Sequence, residues 1–362
     1  ADQTVSVSTT DDDVAGFTVA ETDGSTGVDE SGTTDIITVV LNAQPASDVV
    51  ITVTSSDTGE ATVTSPLTFT SANWDTPQNV TVTGADDELV DGTVNSTVTV
   101  SVNDASSDNN FDDVADQTVS VSTTDDDVAG FTIVELDGST EVDESGDTDT
   151  FTVVLDAQPT SDVVITITSS DTGEATVTST LTFTPANWDT PQVATITGVD
   201  DDIIDGSQTS TITVSIDDAN SDDDFDAIAD QTVSVSTTDD DVAGFTVAET
   251  DGSTGVDESG TTDIITVVLN AQPVSDVVMA ISSGDASETA VNGSTANNNS
   301  LTFTSENWDT PQSFTVTGVD DDLVDGTVNS ILTISVVDAL SDNGFDAVAD
   351  QTVTASTTDD DV

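Results

Sequence analysis

Short runs in which valine, isoleucine and phenylalanine alternate with threonine and serine follow one another along the chain. Alternation with a period of two predicts half-buried β-strands, because successive side chains of a strand point to opposite faces. Seven short strands in one repeating segment predict an antiparallel β-sandwich with an immunoglobulin-like layout. The runs in the first segment are GFTVAE (16–21), DIITVVLN (35–42), DVVITVTS (48–55), ATVTSPLTFT (61–70), QNVTVTG (78–84), NSTVTVSV (95–102) and DQTVSVST (116–123).

The chain repeats itself with a long period. The string ADQTVSVSTTDDDVAGFT starts at Ala1, Ala115 and Ala229, and the variant ADQTVTASTTDDDV starts at Ala349. Because the closing strand, the acidic triplet and the next strand follow without a spacer, each triplet predicts a boundary between two sandwiches. The predicted domains are residues 14–127, 128–241 and 242–362, and the third has a short polar insertion near 285–300.

Residues 1–13 are interpreted as the last strand and linker of a preceding repeat. A strand with an unpaired edge is a liability that proteins avoid. We therefore expect either a longer array of repeats in one polypeptide or a fibre in which the end of one copy completes the next.

The charge of the chain calls for an external cation. The sequence has 72 aspartates and glutamates, no lysine, arginine or histidine, and a formal net charge of −72 at pH 7. Self-repulsion of this size opposes a compact state. Carboxylate oxygens are the ligands that calcium prefers. Intrinsic disorder and the solvated surface of a halophilic protein are the alternatives without metal. The regular strand pattern argues against disorder once metal is bound.

The same composition excludes several classes of function. Without histidine, lysine, arginine or cysteine, the chain lacks the usual general bases, Schiff-base amines and thiol nucleophiles, so an enzyme is not expected. Nucleic acid and anionic membrane surfaces would repel the chain. No apolar run approaches the roughly 18 residues of a membrane span, so direct membrane insertion is not expected either.

Three stretches of the first repeat carry a family resemblance. They are FTVAETDGSTGVDESGTTD, LTFTSANWDTPQNVTVTGADDELVDG and TVSVSTTDDDVAGF. The first contains an F-x-x-x-E start and the turn VDESG, which is similar to V-x-E-x-x-G. The second contains an acidic loop after two strands, and the third a closing strand with a D-D-D linker. These features resemble the Calx-β domains of sodium–calcium exchangers and the related tandem repeats of large bacterial surface adhesins. The resemblance implies an all-β chain of tandem immunoglobulin-like, Calx-β-like antiparallel β-sandwich domains in a linear rod.

The resemblance also implies calcium ligands at one end of each domain. In the first repeat the matching residues are Glu21, Asp57, Asp86, Asp87, Glu88, Asp91, Asp125, Asp126 and Asp127. In the second they are Glu135, Asp171, Asp200, Asp201, Asp202, Asp205, Asp239, Asp240 and Asp241. In the third they are Glu249, Asp285, Asp320, Asp321, Asp322, Asp325, Asp359, Asp360 and Asp361. Where the family often has a glutamate after the loop, this chain has the shorter Asp91, Asp205 and Asp325.

Physical reasoning supports such a cluster without the resemblance. Two unit charges about 5 Å apart repel by ~3 kcal/mol at an effective dielectric near 20. Several bare pairs would therefore offset the whole stability of a domain, about 5–15 kcal/mol. Calcium takes 6–8 oxygens, more than one local segment supplies easily. The alternative is a solvated acidic loop without metal.

A second acidic loop precedes the last strand of each repeat. In the second repeat Asp218, Asn220, Asp222 and Asp224 alternate as D-x-N-x-D-x-D, like the first half of a helix-flanked calcium loop. Such loops carry a glutamate at the twelfth position, which is absent here, and the flanking segments are predicted strands. A plain polar loop is the alternative interpretation.

The favoured hypothesis is a secreted, extracellular structural protein, a calcium-stabilised stalk or fibre subunit of a microbial surface adhesin or filament. Its expected partners are calcium ions and neighbouring repeats or head-to-tail copies of itself. The alternative is a glycan- or surface-binding adhesion module, which would use the third-repeat insertion or the tryptophan of the N-W-D-T-P-Q turn, Trp74, Trp188 or Trp308. Near-identical repeats argue against this alternative, because recognition usually diversifies one copy.

Overall fold

The computed structural model describes residues 2–136, 138–293 and 299–361. The strands of the first repeat are β1 (Phe17–Glu21), β2 (Thr26–Asp29), β3 (Thr34–Leu41), β4 (Val49–Ser55), β5 (Ala61–Val63), β6 (Leu67–Phe69), β7 (Gln78–Gly84), β8 (Thr93–Val102) and β9 (Gln117–Thr124). Those of the second are β10 (Phe131–Glu135), β11 (Thr140–Asp143), β12 (Thr148–Leu155), β13 (Val163–Ser169), β14 (Ala175–Val177), β15 (Thr180–Phe183), β16 (Gln192–Gly198), β17 (Gln208–Ile216) and β18 (Gln231–Thr238). Those of the third are β19 (Phe245–Glu249), β20 (Thr254–Asp257), β21 (Thr262–Leu269), β22 (Val277–Ser283), β23 (Thr289–Gly293), β24 (Ser300–Phe303), β25 (Gln312–Gly318), β26 (Val328–Val336) and β27 (Gln351–Thr358). Short 3-10 helices precede the last strand of each repeat, at Asp104–Ser106, Asn109–Phe111, Asp218–Asn220, Asp223–Phe225, Asp338–Leu340 and Asn343–Phe345. Residues 294–298, the centre of the predicted insertion, lie outside the described residues.

Each repeat folds into two sheets. In the first repeat one sheet has the strand order β1-β3-β7-β5 and the other β2-β9-β8-β4-β6, and the later repeats have the same two orders. The pairs are antiparallel except β2 with β9, a parallel pair that aligns Thr26 with Val121, and its two counterparts. The predicted tandem β-sandwich fold is therefore confirmed, with one parallel pair per repeat that the sequence did not predict. The domain boundaries at the acidic triplets stay predictions.

Two predicted strand assignments change. The run predicted as one strand at residues 61–70 is two strands in different sheets, because β5 pairs with β7 and β6 pairs with β4. Pro66 lies in the crossing between them, where a ladder N–H is not needed. Strand β2 was not predicted, because its buried positions are occupied by Thr26 and Val28 and the first of these is polar.

The core of each repeat lies between its two sheets. Alternate residues from both sheets, such as Ile37 and Val80 of one and Val53 and Val98 of the other, belong to one buried cluster. The other two repeats build equivalent clusters. Burying one such side chain stabilises the fold by ~1.5–3 kcal/mol. The period-two alternation of the sequence therefore determines which face of every strand lies inside.

Successive sandwiches are joined by backbone hydrogen bonds as well as by the linker. The N–H of Val90 donates to the carbonyl of Gln158 at 3.0 Å, and the N–H of Gln158 donates to the carbonyl of Glu88 at 2.6 Å. The second junction repeats both bonds at the same distances, with Ile204 and Gln272 in these roles. Val90 also packs against the core of the second repeat, and Ile204 against that of the third. The loop between β7 and β8 thus contacts the next sandwich directly.

Candidate metal centre

Four acidic segments meet at one end of the first sandwich: the turn after β2, the turn before β5, the β7–β8 loop and the triplet after β9. The N–H of Glu30 donates to the carbonyl of Thr124 at 3.0 Å, which holds the turn after β2 beside the triplet. The N–H of Ala85 donates to the carbonyl of Glu60 at 2.8 Å, which holds the turn before β5 beside the loop. Backbone contacts thereby hold together two pairs of segments that are far apart in sequence.

Gly84 allows the turn after β2 to approach the β7–β8 loop closely. A Cβ atom at Gly84 would lie 2.0 Å from the carbonyl oxygen of Asp29. Gly198 and Gly318 show the same approach, at 2.0 and 2.1 Å from the equivalent carbonyls. No side chain fits in this space, so the backbone next to Glu30 packs directly against the end of β7.

Asp125 connects the loop to the triplet. Its Oδ2 accepts from the N–H groups of Asp91 and Gly92 at 3.0 and 2.9 Å, and its Oδ1 accepts from the N–H of Asp127 at 2.7 Å. Asp239 makes the same three bonds in the second repeat. Backbone donors therefore partly compensate this charge and fix the positions of the two aspartates beside it.

Carboxylate oxygens from the four segments converge. Glu30, Glu60 and Asp91 each offer an oxygen within 4.8 Å of the others, and Glu30 is grouped in the same way with Asp125 and Asp127. Glu30 is 1% exposed and Glu60 6%. Two oxygens bound to one calcium ion at about 2.4 Å lie at most about 4.8 Å apart. Each group therefore fits within one coordination sphere.

The second repeat reproduces this convergence, and the third does so in part. In the second repeat Glu144 is grouped with Asp201 and Asp241, and also with Glu174 and Asp205. In the part of the third repeat that the structure describes, no three carboxylates reach this spacing. There Asp325 is exposed, whereas its counterparts Asp91 and Asp205 are half-buried. The third site is thus the more open one.

Buried oxygens of these groups have no hydrogen-bond donor. In the first repeat they are Oε2 of Glu30 and Glu60, Oδ1 of Asp91 and Oδ2 of Asp127. The same holds for oxygens of Glu144, Glu174, Asp205 and Asp241, and of Glu258, Glu288 and Asp361. Burying a polar atom without a partner is costly. The chain has no cationic side chain to neutralise these oxygens, whereas a proton or a bound cation would do so.

Burial and mutual repulsion raise the pKa values of these carboxyl groups, as expected for buried oxygens without donors. Burial, followed by the charges of nearby carboxylates, raises the pKa of Glu30 to about 7. The same causes raise the pKa of Glu144 and of Glu258 to about 7. Burial and then neighbouring carboxylates also raise the pKa values of Glu60, Asp91 and Asp127. Metal-free, the glutamates of the turn after β2 titrate near neutral pH.

The structure places most of the predicted ligands in or next to the groups of converging oxygens, but Glu21 is not among them. Glu21, at the end of β1, is aligned with Ile37 of β3 and belongs to neither group of converging oxygens. Glu135 and Glu249 hold the same strand position in the later repeats. The other predicted residues of the first repeat either belong to the groups or lie near enough to raise the pKa values of their members: Asp57, Asp86, Asp87, Glu88, Asp91, Asp125, Asp126 and Asp127. Among the corresponding residues of the second repeat, this holds for Asp171, Asp201, Asp202, Asp205, Asp239, Asp240 and Asp241. In the third repeat, the residues that lie near enough to raise the pKa values of Glu258, Glu288 or Asp361 are Asp285, Asp320, Asp321, Asp322, Asp325, Asp359 and Asp360.

The sequence-based ligand set lacked the two glutamates that the structure places at the centre. Glu30 is the glutamate of the VDESG turn, and Glu60 lies three residues after Asp57. The signal for Glu30 was present, because its turn is part of the first stretch that carries the resemblance. Glu60 had no signal, because its burial follows from the contact of its own carbonyl with Ala85.

In the second acidic loop, the carboxylate of Asp222 accepts several hydrogen bonds from neighbouring residues. Asp222 is buried, and its Oδ2 accepts from the N–H of Ser161 and the hydroxyl of Thr160, both at 2.7 Å. Its Oδ1 accepts from the N–H of Asp224 at 3.2 Å. Burial by itself would raise the pKa of Asp222, but these bonds lower it. A carboxylate satisfied in this way fits the plain polar-loop interpretation.

Comparisons with known proteins add little. No protein-family profile and no curated protein matches the chain. Among solved structures, the I-band fragment I67–I69 from titin is 11% identical over 96% of this chain and 97% of that chain, with a TM-score of 0.27. CBD12 from CALX1.2 is 14% identical over 62% of this chain and 99% of that chain, with a TM-score of 0.26. Domains 4–9 of the surface layer protein SbsC are 15% identical over 95% of this chain and 47% of that chain, with a TM-score of 0.27. Scores this low carry no argument about the chain.

The described residues include no helix that is long and apolar enough to cross a membrane.

Proposed function

We propose that the chain is a calcium-stabilised structural repeat protein, in which cations bind among the four acidic segments of each sandwich. The observation that carries the proposal is the recurrence of buried carboxylate oxygens without donors in a chain that has no cationic side chain. Glu30, Glu60, Asp91, Asp125 and Asp127 would supply the first-repeat ligands, and the equivalent residues those of the later repeats.

Calcium fits these residues better than magnesium. Calcium accepts six to eight oxygens with flexible geometry, whereas magnesium requires near-octahedral coordination and keeps several waters. A set of carboxylates held by turns from four segments provides many oxygens with no fixed octahedral arrangement. Thiolate- or imidazole-preferring metals are disfavoured, since the chain has neither cysteine nor histidine.

The location of the centre supports a mechanical role. Asp125 belongs to the linker, and the loop that it anchors also pairs with Gln158 of the next sandwich. A cation bound here would hold the linker and the loop together and so restrict motion between neighbours. We therefore propose a stiff stalk or fibre segment at a microbial cell surface. The tryptophans of the N-W-D-T-P-Q turns are partly buried against the three cores, which supports a structural role for them.

Calorimetric unfolding in calcium, in magnesium and in chelator tests this function. A ligand that binds only the folded state at 100 times its Kd stabilises it by ~2.7 kcal/mol. We expect calcium to raise Tm by ten degrees or more over chelator, and magnesium at equal concentration to raise it far less. The variant E30Q/E144Q/E258Q should lose most of the calcium-dependent increase. A Tm that is unchanged by calcium at low ionic strength would refute the proposal.

A further inference from the structure

The two junctions between sandwiches share their backbone contacts but differ in one side chain. The N–H groups of Gln158 and Gln272 each donate to a carbonyl of the preceding loop, at 2.6 Å in both junctions. The second 3-10 helix of the following sandwich has Asp224 at the first junction and Gly344 at the equivalent position of the second. The two junctions are thus a matched pair in which one carboxylate is present or absent.

The position of this residue is defined at the second junction. A Cβ atom at Gly344 would lie 3.2 Å from Cγ2 of Ile204, in the loop of the preceding sandwich. Ile204 is followed directly by Asp205, the counterpart of Asp91. Gly344 and Asp205 also line one recess of about 710 Å³ between the second and third sandwiches. A side chain at this position therefore begins next to the candidate metal centre of the preceding sandwich.

At the first junction, Asp224 occupies this position. Because the backbone bonds across the two junctions have the same lengths, its side chain begins beside Val90, as that of a residue at 344 would begin beside its counterpart. Burial, then the charges of Asp125 and Asp87, and then that of Asp224 raise the pKa of Asp91. The second sandwich thus places a carboxylate near the metal centre of the first.

The metal centre beside Asp224 has buried oxygens that lack a partner. Glu30 is 1% exposed, and among the described residues its Oε2 has no hydrogen-bond donor. Oδ1 of Asp91 is buried and likewise without a donor. Glu30 and Asp91 each offer an oxygen within 4.8 Å of the other. Calcium takes roughly six to eight oxygens, so an ion bound between them can accept a further carboxylate.

The third sandwich offers no equivalent carboxylate in the recess that the structure describes at the second junction. Asp342 lines this recess, but its Oδ1 accepts from the N–H of Gly344 at 2.9 Å and its Oδ2 from the N–H of Ser275 at 2.6 Å. Asp222 is bonded in the same way in the second sandwich. The carboxylate that distinguishes the two junctions is therefore that of Asp224.

We propose that Asp224 binds the same calcium ion as Glu30 and Asp91, so that this ion connects the first sandwich to the second. At the second junction the ion is held by the second sandwich alone, and Ile204 packs against Gly344 instead. The inference rests on the proposed calcium function and concerns its regulation. Without the ion Asp224 repels Asp91 and weakens the first junction, whereas with the ion it strengthens it. The first junction therefore responds to calcium more strongly than the second.

Energy transfer between two dyes across each junction, measured during a calcium titration, tests this inference. The chain has no cysteine, so T97C/T211C labels the first junction and T211C/I331C the second, at equivalent exposed positions. Across the first junction, D224N should raise the midpoint of the calcium-dependent change by about tenfold or more. Across the second junction, it should leave the midpoint within about twofold. In chelator, D224N should increase transfer across the first junction, because one repulsive charge is gone.

Two controls separate a ligand from a general effect of charge. D223N removes the same charge from the neighbouring position, whose counterpart Asn343 is not among the residues that line the recess, and it should leave both midpoints within about twofold. I204V/G344D gives the second junction the residues of the first, and it should lower the midpoint there severalfold relative to I204V alone. Equal midpoints for D224N and the unmodified chain, or equal shifts by D224N and D223N, overturn the proposal.

The melting temperature of the same variants distinguishes this inference from the calcium function on which it rests. If calcium raises Tm of the unmodified chain and D224N changes neither junction, only the ligand from the second sandwich is rejected. If calcium leaves Tm of the unmodified chain unchanged, the calcium function fails and the inference fails with it.

Discussion

At the scale of single residues, the chain's excess of negative charge is concentrated in a few buried glutamates. Glu30, Glu144 and Glu258 are each about 1% exposed, and each lies among carboxylates that approach from other segments. In most proteins a lysine or arginine would neutralise such a group, but this chain has none. Protons and cations must therefore compete for the same oxygens.

This competition predicts that, without metal, the folded state is more stable at pH 5 than at pH 8. The pKa of these glutamates rises from 4.5 in the unfolded chain to about 7 in the folded one. Between these values the folded state binds more protons, so stability present below pH 4.5 is lost as the pH rises through 7. Aspartates whose pKa is lowered in the folded state change the stability only below pH 3.8, their pKa in the unfolded chain. In chelator, Tm should therefore fall by several degrees between pH 5 and pH 8.

The matched variant for this prediction is E30Q/E144Q/E258Q, which should flatten the dependence between pH 5 and pH 8. In saturating calcium the trend of the unmodified chain should reverse, since deprotonation favours the metal. A metal-free Tm that rises with pH over this range would show that the glutamates are not compensated by protons.

At the scale of elements, the alternation of apolar and polar residues was sufficient to predict most strands and the sandwich, because burial of one face decides the register of each strand. It failed at β2, whose buried Thr26 is polar, and at the β5–β6 crossing, where two short strands read as one. It also failed at Glu30 and Glu60, because their burial depends on contacts between distant turns. Charge density in the sequence located the loops, but it did not show which carboxylates face inward.

One element contact, between Gly84 and the turn after β2, should be indispensable. A methyl group at Gly84 would lie 2.0 Å from the carbonyl of Asp29, so Gly84→Ala must push the turn that carries Glu30 away from the loop. Overpacking of this kind costs ~1–3 kcal/mol. We expect G84A/G198A/G318A to lower Tm by ten degrees or more in chelator and to weaken calcium binding severalfold by titration calorimetry.

Gly27→Ala is the control for this prediction. Gly27 lies in β2 close to the same turn, but the nearest atom to its added methyl is 3.8 Å away, and the second repeat has Glu141 at this position. The control should leave Tm within about two degrees of the unmodified chain. Equal losses from both substitutions would indicate that β2 tolerates no side chain, and the close approach at Gly84 would then have no special role.

At the scale of the whole molecule, two kinds of contact act at each junction. The pairing of Val90 with Gln158 needs no ion, whereas the linker residue Asp127 has a buried oxygen without a donor that a cation would compensate. Removing calcium should therefore loosen the linker while the loop contact persists. The molecule is expected to bend about the junctions, without becoming a chain of independent sandwiches.

Small-angle scattering on the chain measures this bending directly. With calcium, the maximum dimension should be that of three sandwiches in line. Chelation should shorten the mean dimension and broaden the distribution, because repulsion within each site separates the linker from the loop. Adding V90S/I204S should shorten it further in chelator and little in calcium, since the apolar contact then matters only when the ion is gone. Superimposable curves with and without calcium would restrict the ion to a local role within each sandwich.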